Sequence, residues 1–130
     1  MKAMLTNSRH APRKMRLVAD MVKGKPIQRA LDILSIAPKR AAYPIEKLIL
    51  SAVANAKASG IQTAGLVVKE CRVDGGVTLK RFMPGARGSA FSIKKRTSHV
   101  LVTLGEPTKN AKSEKSAKRA ALQVLKLKKA

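Results

Sequence analysis

The feature that most constrains this chain is its excess of positive charge. Its 130 residues include 28 Lys and Arg but only 7 Asp and Glu, so the formal net charge at pH 7 is +21. Such a charge opposes compaction by self-repulsion unless an anionic partner offsets it. The apolar fraction of 45% is nevertheless too high for a wholly disordered basic chain. We therefore expect one folded domain that binds a polyanion.

Aromatic residues are scarce, which limits both the core and the type of nucleic-acid contact. Tyr43, Phe82 and Phe91 are the only ones, and Trp is absent. The core must then be small and aliphatic, and binding to the phosphate backbone is favoured over base stacking on aromatic rings. The single cysteine, Cys71, excludes an internal disulfide and indicates a reducing compartment. The longest uncharged run, residues 58–68, is shorter than the about 20 residues a spanning helix needs, so we expect no membrane segment and no secretory signal.

The first half of the chain predicts three helices, after a weak strand signal at residues 2–7. Pro12 and Gly24 mark the start and end of the first helix, and its apolar stripe is Met15, Val18 and Val22. The second helix follows Pro26 and ends before Pro38. The third runs to about Ser59, with a kink or restart expected at Pro44. The short Gly24-Lys25 connection predicts a helix-turn-helix corner, which by itself is a weak indication of DNA reading.

The second half predicts strands and a long basic hairpin. Residues 66–73 and 100–104 are typical of strands, and residues 75–105 contain no acid. A fold at about Gly88 places Lys80 opposite Arg96 and Arg81 opposite Lys95, a repulsive register that a polyanion between the charges would make favourable. The tip, residues 84–90, has small side chains except Arg87, and Pro84-Gly85 suits a tight turn.

Two segments of the chain differ in composition. Residues 1–105 form one predicted domain, which contains the three helices, the strands and the long hairpin at about 76–104. Residues 106–130 hold eight basic residues and two acids. They predict a basic C-terminal extension that is either disordered or helical on RNA.

The sequence offers little material for catalysis. Its two histidines, single cysteine and scattered carboxylates share no motif, so no catalytic residue, metal site or cofactor is predicted. Cys71 is interpreted as a small core residue. Arg9, Arg13, Lys14 and Arg16 surround the start of the first helix, where cations oppose the macrodipole, and phosphate contact is the favoured interpretation over a solvated face.

Several segments together resemble a known family. They are Pro12-Arg13-Lys14, Arg16-Leu17-Val18-Ala19-Asp20, Ser51-Ala52-Val53-Ala54-Asn55-Ala56, Thr78-Leu79-Lys80-Arg81-Phe82, Pro84, Ala86-Arg87-Gly88 and Lys95-Arg96-Thr97-Ser98-His99-Val100. In this order they resemble the bacterial large-subunit ribosomal protein twenty-two family over about residues 3–104. Family members often carry Ser where Ala11 stands, and often carry basic residues where Gly85 and Ser89 stand.

The resemblance implies an α+β fold, with three helices packed on a small antiparallel sheet and a long protruding β-hairpin. It also implies a structural protein of the cytoplasmic ribosome. It implies binding to large-subunit ribosomal RNA, support of its assembly, contacts with neighbouring large-subunit proteins, and a hairpin tip that lines the nascent-peptide exit tunnel. The RNA-binding residues predicted from the charge pattern and the resemblance together are Arg9, Arg13, Lys14, Arg16, Lys80, Arg81, Arg87, Lys94, Lys95, Arg96 and His99. The implied tunnel tip is Phe82, Met83, Pro84, Gly85, Ala86, Arg87, Gly88, Ser89 and Ala90. The alternative from charge alone is a free-standing nucleic-acid chaperone or DNA-compacting protein.

Overall fold

The computed structural model describes residues 1–63 and 65–106 and has the predicted α+β architecture. Its elements in chain order are β1 Lys2–Ser8, α1 Pro12–Val22, α2 Ile27–Ile36, α3 Ala42–Ala58, β2 Val67–Pro84, a 3₁₀ turn Ala86–Gly88, and β3 Ala90–Gly105. The sheet is antiparallel with strand order β1-β3-β2. The predicted extension at 106–130 lies, apart from Glu106, outside the described residues.

The helices follow their start and stop residues, with one correction. α1 begins at Pro12 and ends before Gly24, which adopts a left-handed φ of 74°. Its N-cap, Ala11, makes no side-chain capping bond. The expected kink at Pro44 is wrong, because α3 begins at Ala42. Proline is tolerated in the first turn, where a backbone N–H has no partner within the helix.

The corner between α1 and α2 is bonded to the edge of the sheet. Gly24 N–H donates to the Val68 carbonyl at 2.8 Å, and Val68 N–H donates back to the Lys25 carbonyl at 2.9 Å. The Ile27 N–H also donates to Leu66. The corner therefore bonds to the edge of the sheet and connects the helices to β2. A DNA-reading helix-turn-helix instead has its second helix available for the major groove.

The core is aliphatic, as predicted. Its largest fully buried side chains come from α1, α3, β2 and β3, and they include Met15, Val18, Val22, Ile45, Ile49, Val68, Val100 and Val102. All three aromatic residues lie at the surface, since Tyr43, Phe82 and Phe91 are each more than half exposed. Dense packing of small side chains thus stabilises the body without any ring in its interior.

A β-bulge separates the body of the sheet from the hairpin arm. Gly75 pairs with Ser98 but Thr78 pairs with Arg96, so β2 carries one extra residue at this point. Gly76 lies in the bulge, where a Cβ would approach Thr97 Oγ1 to 2.5 Å. Thr97 Oγ1 donates to the Val77 carbonyl at 2.7 Å and closes the bulge. We call this junction, residues 75–78 and 96–98, the neck.

The hairpin register differs from the prediction by two residues. Lys80 pairs with Lys94, Leu79 with Lys95, and Arg81 with Ile93. The cause is the position of the reversal, because the chain turns over Ala86–Gly88, with Arg87 at φ 56° and Gly88 at φ 71°. Pro84 pairs with Ala90 inside the ladder, so the tight turn expected at Pro84-Gly85 is also wrong.

Candidate nucleic-acid interface

A groove lined by cations runs between the helical body and the base of the hairpin arm. It has a volume of about 1070 Å³. Its walls come from the loop before α1, the α2–α3 loop and the neck side of the arm. The lining residues are Arg9, His10, Ala11, Lys14, Leu17, Pro38, Lys39, Arg40, Ala41, Leu79, Arg81, Lys94, Lys95, Arg96 and Thr97. We call this feature the basic groove.

The basic groove carries strong uncompensated positive charge. Eight of its lining residues are Lys or Arg, and none is Asp or Glu. In the part of the chain that the structure describes, the one ion pair joins Arg72 to Asp74 at 3.0 Å, outside the groove. Clefts lined by one sign of charge focus the electrostatic field, so this groove attracts anions such as the phosphates of a nucleic acid.

Six of the predicted RNA-binding cations come together in the basic groove. They are Arg9, Lys14, Arg81, Lys94, Lys95 and Arg96. The other five predicted residues, Arg13, Arg16, Lys80, Arg87 and His99, lie outside it. Their contacts with RNA stay predictions, as do those of the six.

The corrected register spreads the arm's charges over two faces. Residues directly opposite each other share a face of an antiparallel pair, so Lys80 and Lys94 share one face, whereas Arg81 lies beside Ile93 on the other. The one pair of directly opposed like charges on the arm is thus Lys80–Lys94. Leu79 and Ile93 are half-buried there, since the long stems of neighbouring cations cover apolar surface.

Arg16 has an internal contact that the sequence did not indicate. Its guanidinium Nε and Nη2 donate to the Val73 carbonyl at 3.3 and 3.2 Å. This bond connects α1 to β2 close to the neck and uses two of the five guanidinium N–H donors. Arg16 therefore acts first as a clamp between helix and sheet.

Hydrogen bonds also fix the two histidines and the start of α1. Ser98 is fully buried, and its Oγ donates to the His10 carbonyl at 2.9 Å. His10 Nδ1 lies 3.1 Å from Ser8 Oγ. The Asn7 N–H donates to His99 Nδ1 at 3.1 Å. These bonds hold the loop before α1 against β3 and thereby position one wall of the basic groove.

The α2–α3 loop also contributes to the basic groove, which was not predicted from the sequence. Lys39 and Arg40 complete the wall opposite the arm, and Leu17, Pro38 and Ala41 add apolar surface to the groove. The available signal was a basic pair directly after a helix-ending proline. Nothing local connected this pair to the arm, because it lies more than 40 residues from the arm cations that line the same groove.

Cys71 is a core residue, as predicted. It is buried, and that burial, together with the nearby Asp20 carboxylate, raises the pKa of its thiol to about 11. In the described residues no three His, Cys, Asp or Glu side chains form a group that could hold a metal ion. No helix within residues 1–63 and 65–106 is long and apolar enough to cross a membrane.

Comparisons with known proteins show which family this chain resembles. The family model described as ribosomal protein L22p/L17e matches residues 3–105. The large ribosomal subunit protein uL22 of Flavobacterium johnsoniae is 49% identical over 107 residues, which cover 79% of this chain and 78% of the relative. The protein of the same name from Pelobacter propionicus is 50% identical over 105 residues, covering 80% of this chain and 95% of the relative.

A third relative agrees with these two. The large ribosomal subunit protein uL22 of Lactobacillus delbrueckii subsp. bulgaricus is 52% identical over 99 residues, covering 75% of this chain and 85% of the relative. The family match spans the helical body, the neck and the whole hairpin arm, and so includes every residue of the basic groove. The chain therefore belongs to the ribosomal protein L22p/L17e family, as its sequence motifs suggested.

Proposed function

We propose that this protein is a structural constituent of the large subunit of the cytoplasmic ribosome. It binds large-subunit ribosomal RNA, supports folding of that RNA during assembly, and contacts neighbouring large-subunit proteins. The observation that carries the proposal is the basic groove, whose eight Lys and Arg side chains have no acid among their groove neighbours. Membership of a ribosomal protein family supports the same conclusion.

Binding of RNA also offsets the repulsion among the excess positive charges of the chain. A net charge of +21 on 130 residues destabilises the compact state by self-repulsion. The phosphates of an RNA neutralise these cations, and release of counterions from the RNA contributes to affinity. The protein therefore gains both stability and position from the same contacts.

Co-sedimentation tests this assignment against the alternative of a DNA-compacting protein. The tagged full chain is expressed in a bacterial cell, and lysates are separated on sucrose gradients with and without nuclease treatment. A ribosomal constituent sediments with large subunits at about one copy each and resists a moderate salt wash. A chain that follows the nucleoid, or that leaves the subunits at low salt, contradicts the proposal.

We also propose that the hairpin tip lines the nascent-peptide exit tunnel. The tip is slim and internally bonded, because Gly85 N–H donates to the Ser89 carbonyl at 2.7 Å and Ser89 Oγ donates to the Ala86 carbonyl at 2.8 Å. A Cβ on Gly85 would lie 2.3 Å from the Phe91 ring, so the ring packs directly on the turn. Arg87 is the single cation of this tip.

A bulky substitution at an unstrained tip position tests the tunnel role. Ala86→Trp is preferred to any change at Gly88, whose left-handed φ of 71° strains other residues. Ribosomes carrying Ala86→Trp are expected to stall differently on arrest-prone nascent chains and to bind tunnel inhibitors with altered affinity. Thr78→Trp, at the other end of the arm, is the control. Parental behaviour in both assays, with the variant fully incorporated, argues against a tunnel position for the tip.

A further inference from the structure

The basic groove combines two chemistries that call for different parts of one ligand. Eight of its lining residues are Lys or Arg, whose side chains bind phosphates, and we call these eight cations the rim. Its apolar lining consists of Ala11, Leu17, Pro38, Ala41 and Leu79. Leu17 is 58% exposed there, although it lies on the same helix as the core residue Met15. The groove therefore exposes apolar carbon to solvent beside its positively charged side chains.

A double-helical RNA fits this combination poorly. A duplex presents phosphates and sugars at its surface and keeps the faces of its bases stacked inside. A volume of about 1070 Å³ is close to the upper end of the range for small-ligand pockets, so the groove encloses only a small part of a nucleic acid. A duplex would contact the rim and leave the apolar surface uncovered.

An unpaired nucleotide matches both chemistries. Its phosphate neutralises the rim, and its exposed base covers apolar surface that otherwise faces water. The groove contains no aromatic ring, but it has four guanidinium groups, Arg9, Arg40, Arg81 and Arg96, and such planes also stack on bases. Without aromatic stacking or an acidic acceptor, such a site tolerates different bases.

We propose that the basic groove holds a short unpaired segment of RNA, with its phosphates on the cationic rim and a base against Leu17 and Leu79. The inference rests on the proposed function and adds the class of ligand at this one site. Lys39 and Arg40 become RNA-binding residues, and the apolar lining distinguishes unpaired from paired RNA.

Binding to defined RNAs tests the role of the apolar lining. Two labelled RNA hairpins serve as probes, one with a perfect stem and one with a three-nucleotide bulge, measured with the full chain at fixed salt. Leu17→Ser is expected to weaken binding of the bulged RNA about fivefold to tenfold, as for loss of one buried apolar side chain, and to leave the perfect stem within about twofold. Leu50→Ser, on exposed α3 surface outside the groove, is the matched control and should change neither.

A variant of two groove cations, together with the test of whether the chain enters large subunits, distinguishes failure of this inference from failure of the proposed function. Lys39→Ala with Arg40→Ala should weaken both RNAs, because phosphates are common to both. Equal loss on both RNAs with Leu17→Ser, or no loss on either, overturns the inference while leaving the proposed function intact. Failure of the unchanged chain to enter large subunits instead overturns the proposed function.

A site-specific crosslink provides a second measurement on assembled subunits. Cys71 is buried and its thiol pKa is raised to about 11, so a thiol introduced by Leu17→Cys is the reactive one at neutral pH. A photoreactive group attached there should crosslink to an unpaired nucleotide, whereas the same group at Leu50→Cys should not. Crosslinks from Leu17→Cys confined to paired nucleotides, or absent in fully assembled subunits, contradict the proposed site.

Discussion

Replacing Lys94, Lys95 and Arg96 with alanine removes three of the eight cations of the basic groove. All three side chains are exposed, and no intramolecular hydrogen bond of theirs is found among the described residues. Exposed substitutions of this kind usually change the free energy of unfolding by less than about 0.5 kcal/mol. The variant should therefore fold normally and differ from the parent in its binding to RNA.

The magnitude follows from the number of phosphate contacts removed. Each lost contact lowers the slope of log affinity against log salt by about 0.7 for single-stranded and 0.9 for duplex nucleic acid. Three contacts therefore lower the slope by about 2 to 3. When the salt concentration rises fourfold, the affinity of both proteins falls. The factor by which it falls should be about 20 to 40 times smaller for the variant than for the parent.

A second triple variant separates local contacts from net charge. Arg29, Lys47 and Lys57 are exposed and lie outside the basic groove, and their replacement by alanine lowers the net charge by the same amount. Affinity for a large-subunit RNA fragment is measured by fluorescence anisotropy at four salt concentrations for the parent and both variants. Equal slopes for the two variants, or a parental slope for the groove variant, would refute the reasoning.

Three further predictions concern the body and the arm. Ser98→Ala should lower the free energy of unfolding by about 1 to 3 kcal/mol, because it leaves the His10 carbonyl without the donor that buried Ser98 provides. Thermal unfolding measures this, and Ser92→Ala at an exposed position is the control that should show no such loss. Burial raises the pKa of Cys71 from an ordinary value of 9.0 to about 11, so the stability that this group contributes below pH 9 should be lost as the pH rises towards 11. Denaturant titrations should show this alkaline loss of stability in the parent and not in Cys71→Ala, and an equal loss in both proteins would contradict the assignment. Without RNA, amide hydrogens of residues 79–95 should exchange faster than those of α3, because a lone two-stranded ribbon is marginally stable; equal protection in both contradicts this.

The sequence alone determined the elements whose signals are local. Pro12 and Gly24 bound the first helix because each acts through its own backbone: proline lacks an N–H, and glycine accepts a positive φ. The periodic apolar residues Met15, Val18 and Val22 identified the buried face of the first helix, and the acid-free stretch identified the hairpin. The Pro44 kink was wrong because one missing N–H has different effects in the first turn and in the interior of a helix.

Only the tertiary structure decided the register of the arm, the clamp from Arg16 and the basic groove. The register depends on where the reversal occurs, and the left-handed conformations of Arg87 and Gly88 moved it by two residues. The groove forms because helix packing brings Lys39 and Arg40 into the same groove as arm cations more than 40 residues away. The charge of each residue can be read directly from the sequence. The concave shape of the groove arises from contacts between remote segments, and no local sequence pattern encodes the distance between those segments.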